Sequence, residues 1–166
     1  MSFPRAQSGF TLLELLVIMA ILGILFALGG YSYLSTRNPP RDAARTVHAA
    51  LLTLRSQAMS NTQARRILLV NDQQLVLQSA LRCSETDQSK WTQIGIVPLD
   101  PGPRPLTLST LKTPEDLVTP DTYRVSCFTS RGLTDKAGFL GISDGKRAYL
   151  ISIALGGGVK TDAAIP

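Results

Sequence analysis

The chain has 166 residues, a formal charge of +5 and apolar side chains at 44% of its positions. Setting aside one long apolar segment near the start leaves about 130 residues, enough for one modest core and not for two domains. No run of five like charges occurs, and no aromatic residue interleaves with the arginines. That excludes the stacking platform of a single-strand nucleic-acid binder. The two cysteines, Cys83 and Cys127, are not spaced as a pair of metal ligands, so they do not make a zinc site.

A short polar leader with one basic residue, Arg5, runs into Phe10 to Tyr31, where Glu14 is the only charged side chain. About 20 apolar residues span a bilayer as a helix, and a charge inside that span is costly. A carboxylate kept there reads as functional. Two fates fit the segment. A secretory signal peptide would end at small residues, and Ala27, Gly29 and Gly30 offer a late site. Its apolar region would be longer than usual, since it runs to about Tyr33. The alternative is cleavage before the segment, at Gly9, which leaves the helix as a permanent anchor. That cut would leave 157 residues, remove Arg5 and lower the charge to +4. A basic flank favours a cytoplasmic amino terminus, with the bulk of the chain outside.

The first helix is predicted to about Ser35. Asn38-Pro39-Pro40 interrupts it, because proline lacks a donor and restricts the residue before it. Pro40 also fits the first turn of a second helix, predicted from Arg41 to about Ser60. Val47, Leu51, Leu54 and Ala58 make one apolar stripe there, widened by Ala43, Ala44 and Ala50. At 1.5 Å per residue the two segments together extend roughly 75 Å. Arg37, Arg41, Arg45, Arg55, Arg65 and Arg66 face one acid in this region, Asp42. They suit an acidic membrane surface or a polyanion, or simply a solvated helix flank. His48, the sole histidine, is expected on the surface or part-buried.

From Ala64 the period changes. Ile67–Val70 and Leu75–Leu77 flank a turn at 71–74 and read as a hairpin. A strand near Gln93 to Val97 precedes a proline-rich link, 98–105. Leu106, Leu108 and Leu111 suggest an edge strand, and Tyr123 to Phe128 is β-rich. Phe139–Ile142 and Ala148–Ala154 flank Ser143-Asp144-Gly145-Lys146, a hairpin turn. Gly156-Gly157-Gly158 ends the order or makes a sharp turn. The tail beyond Val159 is expected to fray or to be lightly tied down.

Gly9-Phe10-Thr11-Leu12-Leu13-Glu14 resembles the prepilin processing motif of type IV pilins and type II secretion pseudopilins. The resemblance implies cleavage after Gly9 by a prepilin peptidase and methylation of the new amino terminus at Phe10. It makes Glu14 the fifth mature residue, with an assembly role. In a filament core of low dielectric a lone carboxylate must be neutralised or paired. The implied partner is the amino terminus of a neighbouring subunit. Arg55-Ser56-Gln57-Ala58, Phe128 to Gly132, Gly138 to Ser143, Tyr149 to Ile153 and Gly158-Val159-Lys160 extend the resemblance to the GspH/FimT-like minor pilins and pseudopilins. The implied fold is α+β, a long amino-terminal helix packed on a small antiparallel sheet or two small sheets. Four segments are expected: a leader at 1–9, a transmembrane and filament-core helix at 10–36, an amphipathic continuation at 37–62 and a β-rich domain at 63–166.

No enzyme constellation, cofactor site or metal site is read from the residues. His48 lies in the supporting helix, and the glycine triplet lacks the lysine and following helix of a P-loop. The resemblance implies a minor pilin of a type IV pilus, at the tip or in the initiating complex. A minor pseudopilin of type II secretion is the alternative. Expected partners are the prepilin peptidase, other major and minor pilins or pseudopilins, and the inner-membrane assembly platform. The expected location is the bacterial inner membrane, single-pass, with the domain outside. A third reading adds DNA capture for natural transformation, through Arg131, Lys146, Arg147 and Lys160. Gly157-Gly158-Val159-Lys160 departs from the Gly-Arg-x-Arg-like segment of DNA-binding relatives, with Gly158 and Lys160 at the arginine positions. An external domain also permits a disulfide between Cys83 and Cys127.

Overall fold

The computed structural model describes residues 11–36, 38–99, 105–110 and 114–164, and in the first helix side chains only as far as residue 27. The expected processing residues Gly9 and Phe10 lie outside the described residues, as does most of the proline-rich link. The chain divides into two units at residue 37.

The first unit holds helix α1, Leu12–Thr36. Thr11 starts it, its Oγ1 accepting the Glu14 N–H at 3.2 Å. Thr11-Leu12-Leu13-Glu14 is thus a capping-box sequence, and Glu14 lies in the first turn, where the helix dipole favours an anion. The helix is apolar on every face, a pattern that suits burial on all sides. Its described side chains are nonetheless all exposed.

The second unit opens with helix α2, Pro39–Ser60. Its first residue is proline, whose missing N–H costs nothing at a helix start. The helix therefore begins two residues before the predicted Arg41. Asn38 caps it, Oδ1 accepting the Arg41 N–H at 3.4 Å while Nδ2 donates to the Tyr149 hydroxyl at 3.1 Å. Ala43, Ala44, Val47, Leu51, Leu54 and Ala58 are buried. Each fully buried large aliphatic side chain contributes about 1.5–3 kcal/mol.

Among the described residues nine strands follow: β1 (Ala64–Val70), β2 (Gln74–Ala80), β3 (Thr92–Ile96), β4 (Thr107–Thr110), β5 (Leu117–Thr119), β6 (Thr122–Phe128), β7 (Gly138–Ser143), β8 (Ala148–Ile153) and β9 (Val159–Ala164). They form two antiparallel sheets, in the orders β3-β2-β1-β6-β5 and β4-β7-β8-β9. The β1–β2 turn places Asn71 and Asp72 at φ 51° and 54°, the backbone a tight hairpin asks of such residues. One core joins the α2 stripe to Ile67, Leu69, Leu75, Val125 and Phe128 of the first sheet. From the second sheet come Leu108, Leu140, Ile142, Ile151 and Ile153. The α+β class is as expected, with two small sheets.

One expectation is corrected, one is narrowed and one strand is added. Of the two fates open to the tail, it is tied down rather than frayed: β9 pairs with β8 from Ile153↔Val159 to Ala148↔Ala164. Its polar sequence conceals it, yet Thr161 Oγ1 reaches His48 Nδ1 on α2 at 2.9 Å and ties the strand down. The short strand β5 went unread, because three residues carry no period. Arg65 and Arg66 are not a solvated helix flank: both are buried in β1.

Candidate functional site

Glu14 is placed by local chemistry, on the first turn of α1 with its backbone N–H held by Thr11. The exposed apolar surface around it runs from Leu12 to Phe26. A surface of that kind marks an interaction with lipid or protein. Among the described residues no helix is long and apolar enough to cross a membrane. Side chains are described only to residue 27, while the apolar sequence continues past that point.

The four basic residues read as a DNA surface do not meet in one place. Lys146 and Arg147 sit in the β7–β8 turn, where the Asp144 carboxylate accepts both of their backbone N–H groups at 3.0 and 2.8 Å. Lys160 pairs with Ser152, toward the other end of β8. Arg131 lies in the turn before β7, and Gly138 at the start of that strand faces Ile153. About 17 Å of strand separates the two ends. Lys160 is moreover engaged with Asp162 at 3.0 Å.

A second buried cluster lies on the face of the first sheet turned away from α2. Side chains alternate along β1, so Ile67 and Leu69 face the helix while Arg66 points the other way. Cys83 and Cys127 are joined there, with Cα atoms 5.8 Å apart, within bridging reach. They pack with Ala64, Ala80 and Trp91. The Arg66 guanidinium lies 3.8 Å from the Trp91 ring centre. It donates to Gln78 Oε1 at 2.9 and 2.7 Å and also to Gln88. Burial, with Arg124 nearby, lowers its pKa to about 10. Arg124 itself bonds Asp135 at 3.0 Å and reaches Asp116 at 3.8 Å. Lys136 also pairs with Asp116, and burial lowers its pKa although Glu115 pulls the other way. Among the described residues no group of three or more His, Cys, Asp or Glu side chains could hold a metal ion.

Arg55 was legible as a basic residue and as part of the Arg55-Ser56-Gln57-Ala58 resemblance, without a contact of its own. In the structure its Nε donates to the Gly132 carbonyl at 2.9 Å and its Nη2 to the Gly156 carbonyl at 3.4 Å. It thereby ties two turns to α2. No spacing in the sequence signals a contact 77 residues away.

Residues 4–29 match the prokaryotic N-terminal methylation motif. The fold is similar to the Pseudomonas aeruginosa type IV minor pilin FimU in two crystal forms. In one the TM-score is 0.51 at 17% identity, covering 75% of this chain and 96% of that one. In the other it is 0.50 at 19% identity, covering 75% and 92%. It is also similar to the minor pseudopilin EpsH from the type 2 secretion system of Vibrio cholerae, with TM-score 0.53, 16% identity, and coverage of 76% and 98%. No curated protein sequence matches the chain. The methylation motif thus stands in front of a domain whose α+β fold is like that of these pilin and pseudopilin structures.

Proposed function

We propose that the chain is a minor pilin, cut after Gly9, methylated at Phe10 and held in the bacterial inner membrane by α1. From there it enters a type IV pilus as an initiating or tip subunit. The observation that carries this reading is the methylation motif at 4–29, set in front of a pilin-like domain. The prepilin peptidase, neighbouring pilins and the assembly platform are the partners it requires. The similarity to EpsH supports a second reading, a minor pseudopilin, in which the same helix joins a type II secretion filament.

Glu14 supplies the chemistry of assembly in either case. Once α1 is packed among other helices, its carboxylate takes the positive amino terminus at Phe10 of a neighbour. Breaking a buried ion pair by removing one partner costs about 3–5 kcal/mol. Glu14→Ala is therefore expected in the membrane fraction, processed, with its yield in sheared filaments down by about tenfold or more. Glu14→Gln separates charge from helix capping, because glutamine also serves a capping box. Charge pairing predicts that both variants fail to assemble. Normal filament yield from Glu14→Gln would contradict the pairing and leave Glu14 a helix cap.

A further inference from the structure

The domain has two ends. The chain reaches it at Asn38, beside Tyr149 and the β7–β8 turn. About 25 Å of α2 separates Asn38 from Arg55 at the far end. Four large apolar side chains stand exposed at that far end: Met59 (45%), Leu81 (77%), Leu133 (47%) and Leu155 (60%). Leu81 follows β2, while Leu133 and Leu155 occupy turns. Such positions normally carry polar or glycine residues.

The backbone beneath these side chains is locked. The Thr134 N–H donates to the Leu155 carbonyl at 3.0 Å and the Thr134 hydroxyl to the Ala154 carbonyl at 2.9 Å. Arg55 holds the carbonyls of Gly132 and Gly156. A Cβ on Gly157, at φ 75°, would lie 2.0 Å from the Gly132 oxygen, and one on Gly132 would lie 2.6 Å from the Met59 sulfur. The two turns therefore touch each other and α2, and the leucines rise from a fixed base. Leu81 lines an adjoining cleft of about 320 Å³ with Ala64, Thr129 and Ser130. Arg82 is exposed in that cleft, and Arg131 is exposed next in the chain to its lining residue Ser130. The nearest carboxylate in that cleft, Asp135, is paired with Arg124.

We propose that this far end docks a second prepilin-type subunit, through a partner surface with an apolar centre and carboxylates around it. The proposal rests on the filament reading and adds the surface and the partner's chemistry. An apolar centre flanked by arginine is the composition of a protein interface, in which desolvated anchors hold and rim charges steer. Leucines offer nothing to phosphates, which govern nucleic-acid affinity.

The test uses the full chain in its own host, with a photo-crosslinking residue at Leu133 or Leu155 and a control at exposed Thr92. Adducts are identified by mass, and sheared filaments are assayed in parallel. The expected result is an adduct from both positions, absent at Thr92, whose partner carries a methylated prepilin-type amino terminus. Arg82→Glu with Arg131→Glu should lower its yield about fivefold or more, since like charges now meet across the rim. Leu133→Ser with Leu155→Ser should be processed and melt within a few degrees of the parent, because the side chains are exposed. It should nevertheless be depleted from filaments. A chain found in filaments without these adducts overturns the docking surface and leaves the filament reading standing. A chain absent from filaments and without adducts overturns both. An adduct to DNA, to lipid or to a protein without a prepilin terminus overturns the proposed occupant.

Discussion

Helices α1 and α2 are similar in length, 25 and 22 residues, and opposite in design. In α2 most apolar residues fall on one stripe, and two sheets of the same chain cover it. In α1 they fall on every face, and the described ones are exposed. The difference teaches where each helix finds its solvent. The free energy of α2 is spent inside the molecule, on folding. That of α1 is still available, and the proposed function uses it on lipid first and then on the helices of other subunits.

The contrast can be broken most directly by equal truncations in the two helices. Leu51→Ala removes a fully buried side chain and is expected to destabilise the domain by about 2–5 kcal/mol. Denaturant unfolding of residues 38–166 measures it. Leu16→Ala in the full chain should leave the domain's melting temperature unchanged and act on filament yield alone. A large melting shift from Leu16→Ala would mean that α1 belongs to the domain's fold.

The disulfide sharpens the same comparison, since it strengthens only the second unit. Its cysteines are 44 residues apart. Closing a loop of that length stabilises by about 4 kcal/mol in the chain-entropy account, and less where strain subtracts. Cys83→Ser with Cys127→Ser should cost about 2–4 kcal/mol in the domain and leave processing of α1 untouched. Intact mass with and without reductant, on protein made in an oxidising compartment, should show a 2 Da difference for the parent (one bond's hydrogens, about 2 by stoichiometry). Two free thiols in the oxidised preparation would contradict the bridge.

The smallest expected effect concerns DNA. With Lys146 and Arg147 at one end and Arg131 and Lys160 at the other, any phosphate binding engages about two cations at a time. Each contact contributes about 0.9 to the slope of log affinity against log salt. Titrating labelled duplex with the 38–166 domain should give weak binding with a slope near 2 in magnitude. Separate changes of Lys146 with Arg147, and of Lys160, should act independently. A slope near 4, abolished by either change, would restore a single four-cation patch.

Much of the fold was legible because periods are local. The α2 stripe, the interruption at Asn38-Pro39-Pro40 and the two hairpins each follow from residues within one or two turns of each other. What was hidden depends on distant partners. Strand β9 reads as a polar tail until β8 and His48 are beside it. Arg66 reads as surface charge until Trp91, Gln78 and Gln88 surround it. The tie made by Arg55 needs two glycine turns folded next to one another. The methylation motif at 4–29 was legible for the opposite reason: its residues are contiguous, so no distant partner is needed to read it. The basic surface was not legible, since spacing along the chain cannot say which end of a sheet a turn will occupy.

The central claim is that α1 is kept as a permanent, outward-looking helix. Intact mass and amino-terminal sequencing of the chain recovered from host membranes test it most directly. The account predicts a chain that begins at methylated Phe10 and retains all of α1. A chain beginning after the small residues at 27–30, released from the membrane as a free domain, would contradict it.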